Sequence, residues 1–157
     1  MHEVVAPMST RDVAKQARGL ASELNARTVE AEHLLLVLAG PCDETARILK
    51  PVALDRGRVE AALREERQAS LAAAGVEPLT AERATRSGRT RAPQWGASAK
   101  SALKRGHEIA RRGGRAGETP TDLLLGVLQA ELGTVPRALA ITGADRTALI
   151  AHIGRRR

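Results

Sequence analysis

The sequence predicts an all-α protein built from two pseudo-symmetric four-helix repeats packed as a double bundle, and three observations carry that reading. The first is an internal repeat: Glu32-His33-Leu34-Leu35-Leu36-Val37-Leu38 returns as Thr121-Asp122-Leu123-Leu124-Leu125-Gly126-Val127, displaced by 89 residues. The same displacement carries Ala17 onto Gly106, Leu20 onto Ile109 and Ala21 onto Ala110. Two copies are too few for a solenoid and imply a duplicated bundle instead. The second is composition. With no Phe, no Tyr and one Trp among 157 residues, the core must be Leu, Ile, Val and Ala, which suits closely packed helices. The third is periodicity, because the apolar residues recur at helical spacing and no segment reads convincingly as a strand.

In the first repeat, Val13, Ala17, Leu20, Ala21 and Leu24 fall on one face of a helix over 9–24, with Pro7 suited to its start and Asn25 to its end. A short second helix holds the leucine run and stops at Gly40-Pro41. Asp43 is a plausible cap for a third helix over 43–50, which Pro51 closes. A fourth starts near Asp55, buries Val59, Ala62 and Leu63, and can run on to Ala74 before Gly75 breaks it. Residues 77–94 are polar, basic and punctuated by Pro78, Gly88 and Pro93, the pattern of a flexible linker.

The second repeat opens at Trp95, with a first helix over 98–112 and a loose connector at Gly113, Gly114 and Gly117. Thr119-Pro120-Thr121-Asp122 then reads as a capping-box-like helix start. A third helix covers 134–140, and Asp145 caps a fourth with Ala148, Leu149 and Ile153 facing inward. The expected organisation is a first repeat at 6–66, an extended helix and basic linker at 67–94, a second repeat at 95–153 and a basic tail at 154–157.

The net charge of +7 concentrates in Arg83, Arg86, Arg89 and Arg91 and in Arg155-Arg156-Arg157. Such stretches could track a nucleic acid, but a solvated linker and tail explain them as well, and the lack of aromatics for base stacking speaks against nucleic acid. A single cysteine, Cys42, excludes an internal disulfide and points to a reducing cytoplasm. The N-terminal residues lack the pattern of a signal peptide, and no apolar run approaches a membrane span.

Two enzyme motifs are nearly present. Residues 94–101 end like a phosphate-binding loop but lack both of its glycines, and His107-Glu108-Ile109-Ala110-Arg111 has Arg where a zinc helix needs its second His. Nothing resembles a nucleophile elbow or a dinucleotide loop, so no catalytic residue, metal or cofactor is expected. Glu32, at the start of a short helix, is either a dipole partner or a carboxylate receptor for a guanidinium or ammonium. With nearby helix N-termini offering N–H groups to an anion, it would suit a ligand carrying both charges.

Taken together, the duplicated halves, the segment Ala31-Glu32-His33-Leu34-Leu35-Leu36-Val37-Leu38 and the segment Ala46-Arg47-Ile48-Leu49 resemble the N-terminal domain of the ClpA/ClpC family of AAA+ unfoldases. The resemblance runs from about Ala6 to Leu63 and from Trp95 to Ile153, and Trp95 stands where the family has an aromatic opening the second copy. It implies a docking platform for substrates and adaptors. In the ClpC branch it further implies a phosphoarginine reader built from a Glu and a helix-start Thr in each copy. Residue by residue, the first Glu is Glu32, whereas Thr121 and Asp122 replace the second Glu-His pair, and the helix-start threonines fall on Pro7 and Gly96. Ser9, Thr10 and Ser98 are the neighbouring hydroxyls that could substitute.

With the chain ending at Arg157, the resemblance implies a free-standing N-domain without ATPase modules, and its middle segment is longer and more basic than the family's usual linker. The expected function is therefore non-catalytic peptide or protein binding, as adaptor, regulator or decoy in Clp-dependent proteolysis. Expected partners are Clp substrates, adaptors or Clp subunits, arginine or phosphoarginine peptides, and Clp-targeting cyclic peptides. The candidate binding residues are Glu32, His33, Trp95, Thr121, Asp122, Ser9, Thr10 and Ser98, placed around a groove between the copies with Trp95 on its floor and Glu32 at its rim.

Overall fold

The computed structural model describes residues 6–75 and 91–156. Most of the proposed linker, with Arg83, Arg86 and Arg89, lies outside the described residues. In the first repeat the helices are α1 (Thr10–Glu23), α2 (Ala31–Ala39), α3 (Asp43–Leu49) and α4 (Arg56–Ala73), with a 3-10 turn at Lys50–Val52. In the second they are α5 (Ala97–Arg112), α6 (Pro120–Leu128), α7 (Thr134–Thr142) and α8 (Arg146–Arg156). The fold is all-α with four helices in each repeat among the described residues, as the duplication predicts.

The two leucine runs are the centre of the molecule. In α2 every residue except Glu32 is buried, and in α6 every residue except Thr121. A helix that is apolar on all sides must be surrounded by others, and here α2 and α6 touch each other while the remaining helices wrap them. Across the repeats α4 packs along α7, α2 meets α5 and α7, and α3 meets α6. The repeats therefore share one aliphatic core, which includes Leu34, Leu38, Leu123, Leu124 and Leu128.

Local signals explain the helix ends. Ser9 and Asp12 form a reciprocal capping box at the start of α1, and Thr119 and Asp122 form another at α6. Asn25 follows α1 with φ 56°, a left-handed conformation that its short polar side chain tolerates. Asp55 caps α4 and Asp145 bonds the Ala148 N–H at the start of α8.

Four expectations need correction. Cys42, not Asp43, is the N-cap of α3, so Asp43 supplies first-turn charge instead. Leu24 ends as an exposed C-cap, 52% accessible, because the chain leaves the helix there. Ala148 is exposed, while Leu149 and Ile153 are buried as expected and Ile150 packs partly against the core. Finally, two short strands do exist: β1 (Thr28–Val29) and β2 (Gln94–Trp95) pair in parallel, with Val29 opposite Trp95. Two residues are too few to show a period of two, so the sequence carries no strand signal for them. Their pairing ties the start of the second repeat to the entry of α2.

Candidate functional site

The first half of the site forms at the N-terminus of α2. Glu32 is half-buried and faces α7, where the Thr134 side chain lies close enough to favour its charged form. Burial pushes its pKa up to about 7, and the neighbouring Glu30 and Glu66 carboxylates add to the shift, while Thr134 and the Arg137 guanidinium oppose it. Glu66 is buried in α4, accepts from Ser70 and pairs with Arg137 at 2.8 Å. Burial alone would raise Glu66, but the Ser70 and Arg137 bonds outweigh it and hold the carboxyl low. His33 is buried, and its Nδ1 accepts the Glu30 N–H at 2.9 Å. Burial lowers its pKa, which keeps Nδ1 free of a proton and able to accept that bond.

Glu30 and Ser98 bridge the repeats beside this site. The Ser98 hydroxyl accepts the Ala31 N–H at 2.8 Å and donates to Glu30 Oε1 at 3.1 Å. A Cβ at Gly96 would meet the Glu30 carboxylate, so Glu30 would have to swing aside to admit a side chain there. The helix-start position that carries a threonine in the resembled pattern is therefore filled by a carboxylate from the other repeat. Trp95 is half-buried against the core, in the strand residue paired with Val29 just before α5.

The second half forms at the N-terminus of α6. Both the N–H and the hydroxyl of Thr121 donate to Glu44 Oε2 of α3, at 3.0 and 2.6 Å. Asp122 is fully buried: its Oδ2 accepts from the Thr119 N–H and hydroxyl, and its Oδ1 pairs with Arg115 at 2.6 Å. Glu118, next to Thr119, has one buried oxygen with no partner among the described residues. Burial and then the Asp122 charge push its pKa up to about 7.

The two halves are related by an exchange that sequence reasoning missed. Glu32 in α2 faces the Thr134 side chain of α7, and Thr121, 89 positions after Glu32, bonds Glu44 in α3, 90 positions before Thr134. Acid and hydroxyl have swapped places, so replacing the second Glu by Thr121 keeps the pair rather than removing it. Aligning the third helices would have revealed it, since a Glu-to-Thr change in one place is answered by a Thr-to-Glu change in the other.

A groove of about 1180 Å³ opens between the repeats on the Thr121 side. Its apolar lining comes from Met8, Ile48, Ile109 and Ile153, and its ionic lining from Asp43, Glu44, Arg47, Arg112 and Arg115. Of the eight candidates only Thr121 lines it, with Ser9 and Thr10 following the lining residue Met8 in the chain. Asp122 lies behind Thr121, bonded to the lining residues Arg115 and Thr119, while Glu32, His33, Trp95 and Ser98 gather on the other side of the bundle around Glu30, β2 and α7. The structure thus brings the candidates into two groups, not one. The sides differ because α4 extends along α7, where Glu66 takes Arg137. Arg47, the counterpart of Arg137 90 positions earlier, is exposed on the groove without an ion pair among the described residues.

The two raised carboxyls make stability depend on pH. A carboxyl whose folded pKa lies near 7 contributes stability fully below its ordinary value of 4.5 and loses it as pH rises through 7. The depressed His33 works in the opposite sense, stabilising above 6.5 and losing that contribution as pH falls. Glu32→Gln and Glu118→Gln should each stabilise the fold at pH 8 by about 1 kcal/mol, after discounting for partial exposure, with little effect at pH 4. Melting temperatures of the wild type and the two variants across pH 4–8 measure this, and parallel curves would remove both groups as the source.

The fold is similar to the crystal structure of the N-terminal domain of the caseinolytic-protease-associated chaperone ClpD from Arabidopsis thaliana. The TM-score is 0.64 at 17% identity, over 92% of this chain and 88% of that one. It is also similar to a chain solved in structural investigations of a malarial protein secretion system, with a TM-score of 0.63 at 18% identity over 94% and 90% of the two chains. At these identities the likeness is one of fold. No curated protein sequence matches the chain. The family model described as the Clp repeat (R) N-terminal domain matches residues 8–140, most of the length, and the chain belongs to that family.

Proposed function

We propose that the chain is a non-catalytic docking module that receives a peptide or a protein segment in the groove between its repeats. In Clp-dependent proteolysis in the cytoplasm it would act as adaptor, regulator or decoy. Its functional units would be the repeats at 6–66 and 95–153. The observation that carries the reading is the groove itself: an aliphatic floor between two walls of mixed charge, in a family whose resemblance implies substrate docking. A bound segment would set apolar side chains on Met8, Ile48 and Ile109, an acidic group on Arg47 and Arg112, and a basic group on Asp43 and Glu44. Because Glu44 already occupies the Thr121 N–H and hydroxyl, an incoming phosphate or carboxylate must displace it to reach the helix end. Glu32 and His33, with Ser98 and Trp95 beside them, would form a second receptor for an arginine or phosphoarginine side chain.

The test is titration of the full chain with Clp substrates, adaptors, phosphoarginine peptides and Clp-targeting cyclic peptides, followed through thermal stabilisation and Trp95 fluorescence. Arg47→Glu combined with Arg112→Glu should weaken groove binding about tenfold or more while leaving the melting temperature nearly unchanged, since both side chains are exposed. Binding that is indifferent to both charges but lost in Glu32→Gln would move the site to the other side of the bundle. No response to any of these ligands would remove the docking reading.

A further inference from the structure

The outer face of α5 carries a row of donor side chains, three of them cationic, that the groove does not account for. Lys100, Lys104, His107 and Arg111 are spaced by four, three and four residues, so they align along one side of the helix, and all four are exposed. None of them makes a hydrogen bond or ion pair through its side chain among the described residues. The only acid in α5 is Glu108, against Lys100, Lys104, Arg105, Arg111 and Arg112. Such a row works against its own helix: like charges four apart repel, and Lys100 in the fourth position faces the positive end of the helix dipole.

Two comparisons within the chain sharpen the point. In α4, arginines alternate with Glu60, Glu65 and Glu66, and Arg56 pairs with Glu60 at 2.8 Å. In α1, the positions 89 residues before the row are Arg11, Lys15, Arg18 and Ser22. There Asp12 sits beside Arg11 and Lys15, and Arg18 donates to the Pro93 carbonyl at 3.2 Å. Arg18 and Arg56 thus have internal partners in α1 and α4, and in α5 Arg105 donates to the Gly126 carbonyl at 2.7 Å. Lys100, Lys104, His107 and Arg111 instead face outward without one among the described residues.

We propose that this face of α5 is a docking surface for an acidic helical segment of a partner protein. A helix places residues spaced four, three and four apart at rises of about 6, 4.5 and 6 Å. Carboxylates repeated at that spacing on a second helix meet Lys100, Lys104, His107 and Arg111 in register, and because the spacing is palindromic the helix can run in either direction. The face offers no aromatic ring for a base, since the lone Trp95 is half-buried against the core. The surface is separate from the groove, so it can hold even if groove docking does not.

The experiment uses the full chain and a fluorescent Ala/Gln/Glu peptide of about 20 residues, long enough to be helical. Its glutamates carry the four-three-four spacing, and an isomer of equal composition scatters them. Short duplex DNA is the third probe. The expected result is binding of the spaced peptide at low salt that weakens steeply between about 0.05 and 0.5 M salt. Binding of the scattered isomer should be several-fold weaker. Lys100→Glu with Lys104→Glu should weaken it about tenfold or more, while Lys50→Glu, an exposed charge in the first repeat, leaves it unchanged. Melting curves confirm that the charge variants fold. Failure of the spaced peptide to bind, equal binding of the two isomers, indifference to the double substitution, or tighter binding of duplex DNA would each overturn the proposal.

Discussion

Gly126→Val should destabilise the fold by about 3 kcal/mol and lower its melting temperature by roughly 10 °C, as measured by thermal or urea unfolding. Position 126 lies inside α6 where that helix presses on α5. A Cβ there would run into the Ala102 carbonyl and come within 2.8 Å of the Gly106 nitrogen. Both obstacles are backbone, so no rotamer change relieves them and the helices must separate. On the other side of the contact is a second glycine, Gly106, whose own added Cβ would meet the Glu118 carboxylate and the Leu123 Cα. The first repeat has Val37 and Ala17 at the corresponding positions, 89 residues earlier, so α1 and α2 meet through side chains where α5 and α6 meet through backbone. Gly19→Ala is the control. It lies in α1 with nothing within 4 Å of the added carbon, so the same kind of change should stabilise by about 0.5–1 kcal/mol through helix propensity. Equal losses at both positions would mean that the close approach of α5 and α6 is not what constrains residue 126.

The fold was legible because its strongest signals are long and periodic. Two copies of a leucine run, each flanked by a cap and a glycine or proline, place α2 and α6 at the centre without any tertiary information. Cap chemistry likewise announces α6 through Thr119 and Asp122, and α4 through Asp55. The site was less legible, since its geometry depends on contacts between repeats. Nothing local to Thr121 says that Glu44 will reach it from 77 residues away, or that Glu30 will fill the space above Gly96. Nor does the pattern of α4 say which groove its last turns cover. That follows from packing along α7, and it places Glu32 and Trp95 away from the open groove that sequence reasoning assigned to them. Periodicity identifies the buried face of a helix; it does not identify the neighbour.

Asp122→Ala should cost about 3 kcal/mol, because one carboxylate holds together the helix start that frames the groove. Its Oδ2 accepts from the Thr119 N–H at 2.8 Å and hydroxyl at 3.0 Å, and its Oδ1 takes the Arg115 guanidinium at 2.6 Å, with the Asp122 side chain itself fully buried. Removing it leaves the part-buried Thr119 N–H without its acceptor and hands the Arg115 charge to solvent, in a site that alanine cannot fill. Asp122→Asn should lose less, since an amide oxygen still accepts one cap bond while the ion pair is gone. The box formed by Ser9 and Asp12 is the internal comparison: the same reciprocal bonds, at 3.0 and 3.1 Å, but exposed to solvent. Water replaces what Asp12→Ala removes, so that substitution should be the milder of the two by unfolding measurements. The functional consequence separates them further. Arg115, Thr119 and Thr121 all line the groove, so loosening Asp122 should weaken ligand binding even at temperatures where the fold persists. Loss of stability without any change in binding at such temperatures would show that docking does not use this wall of the groove.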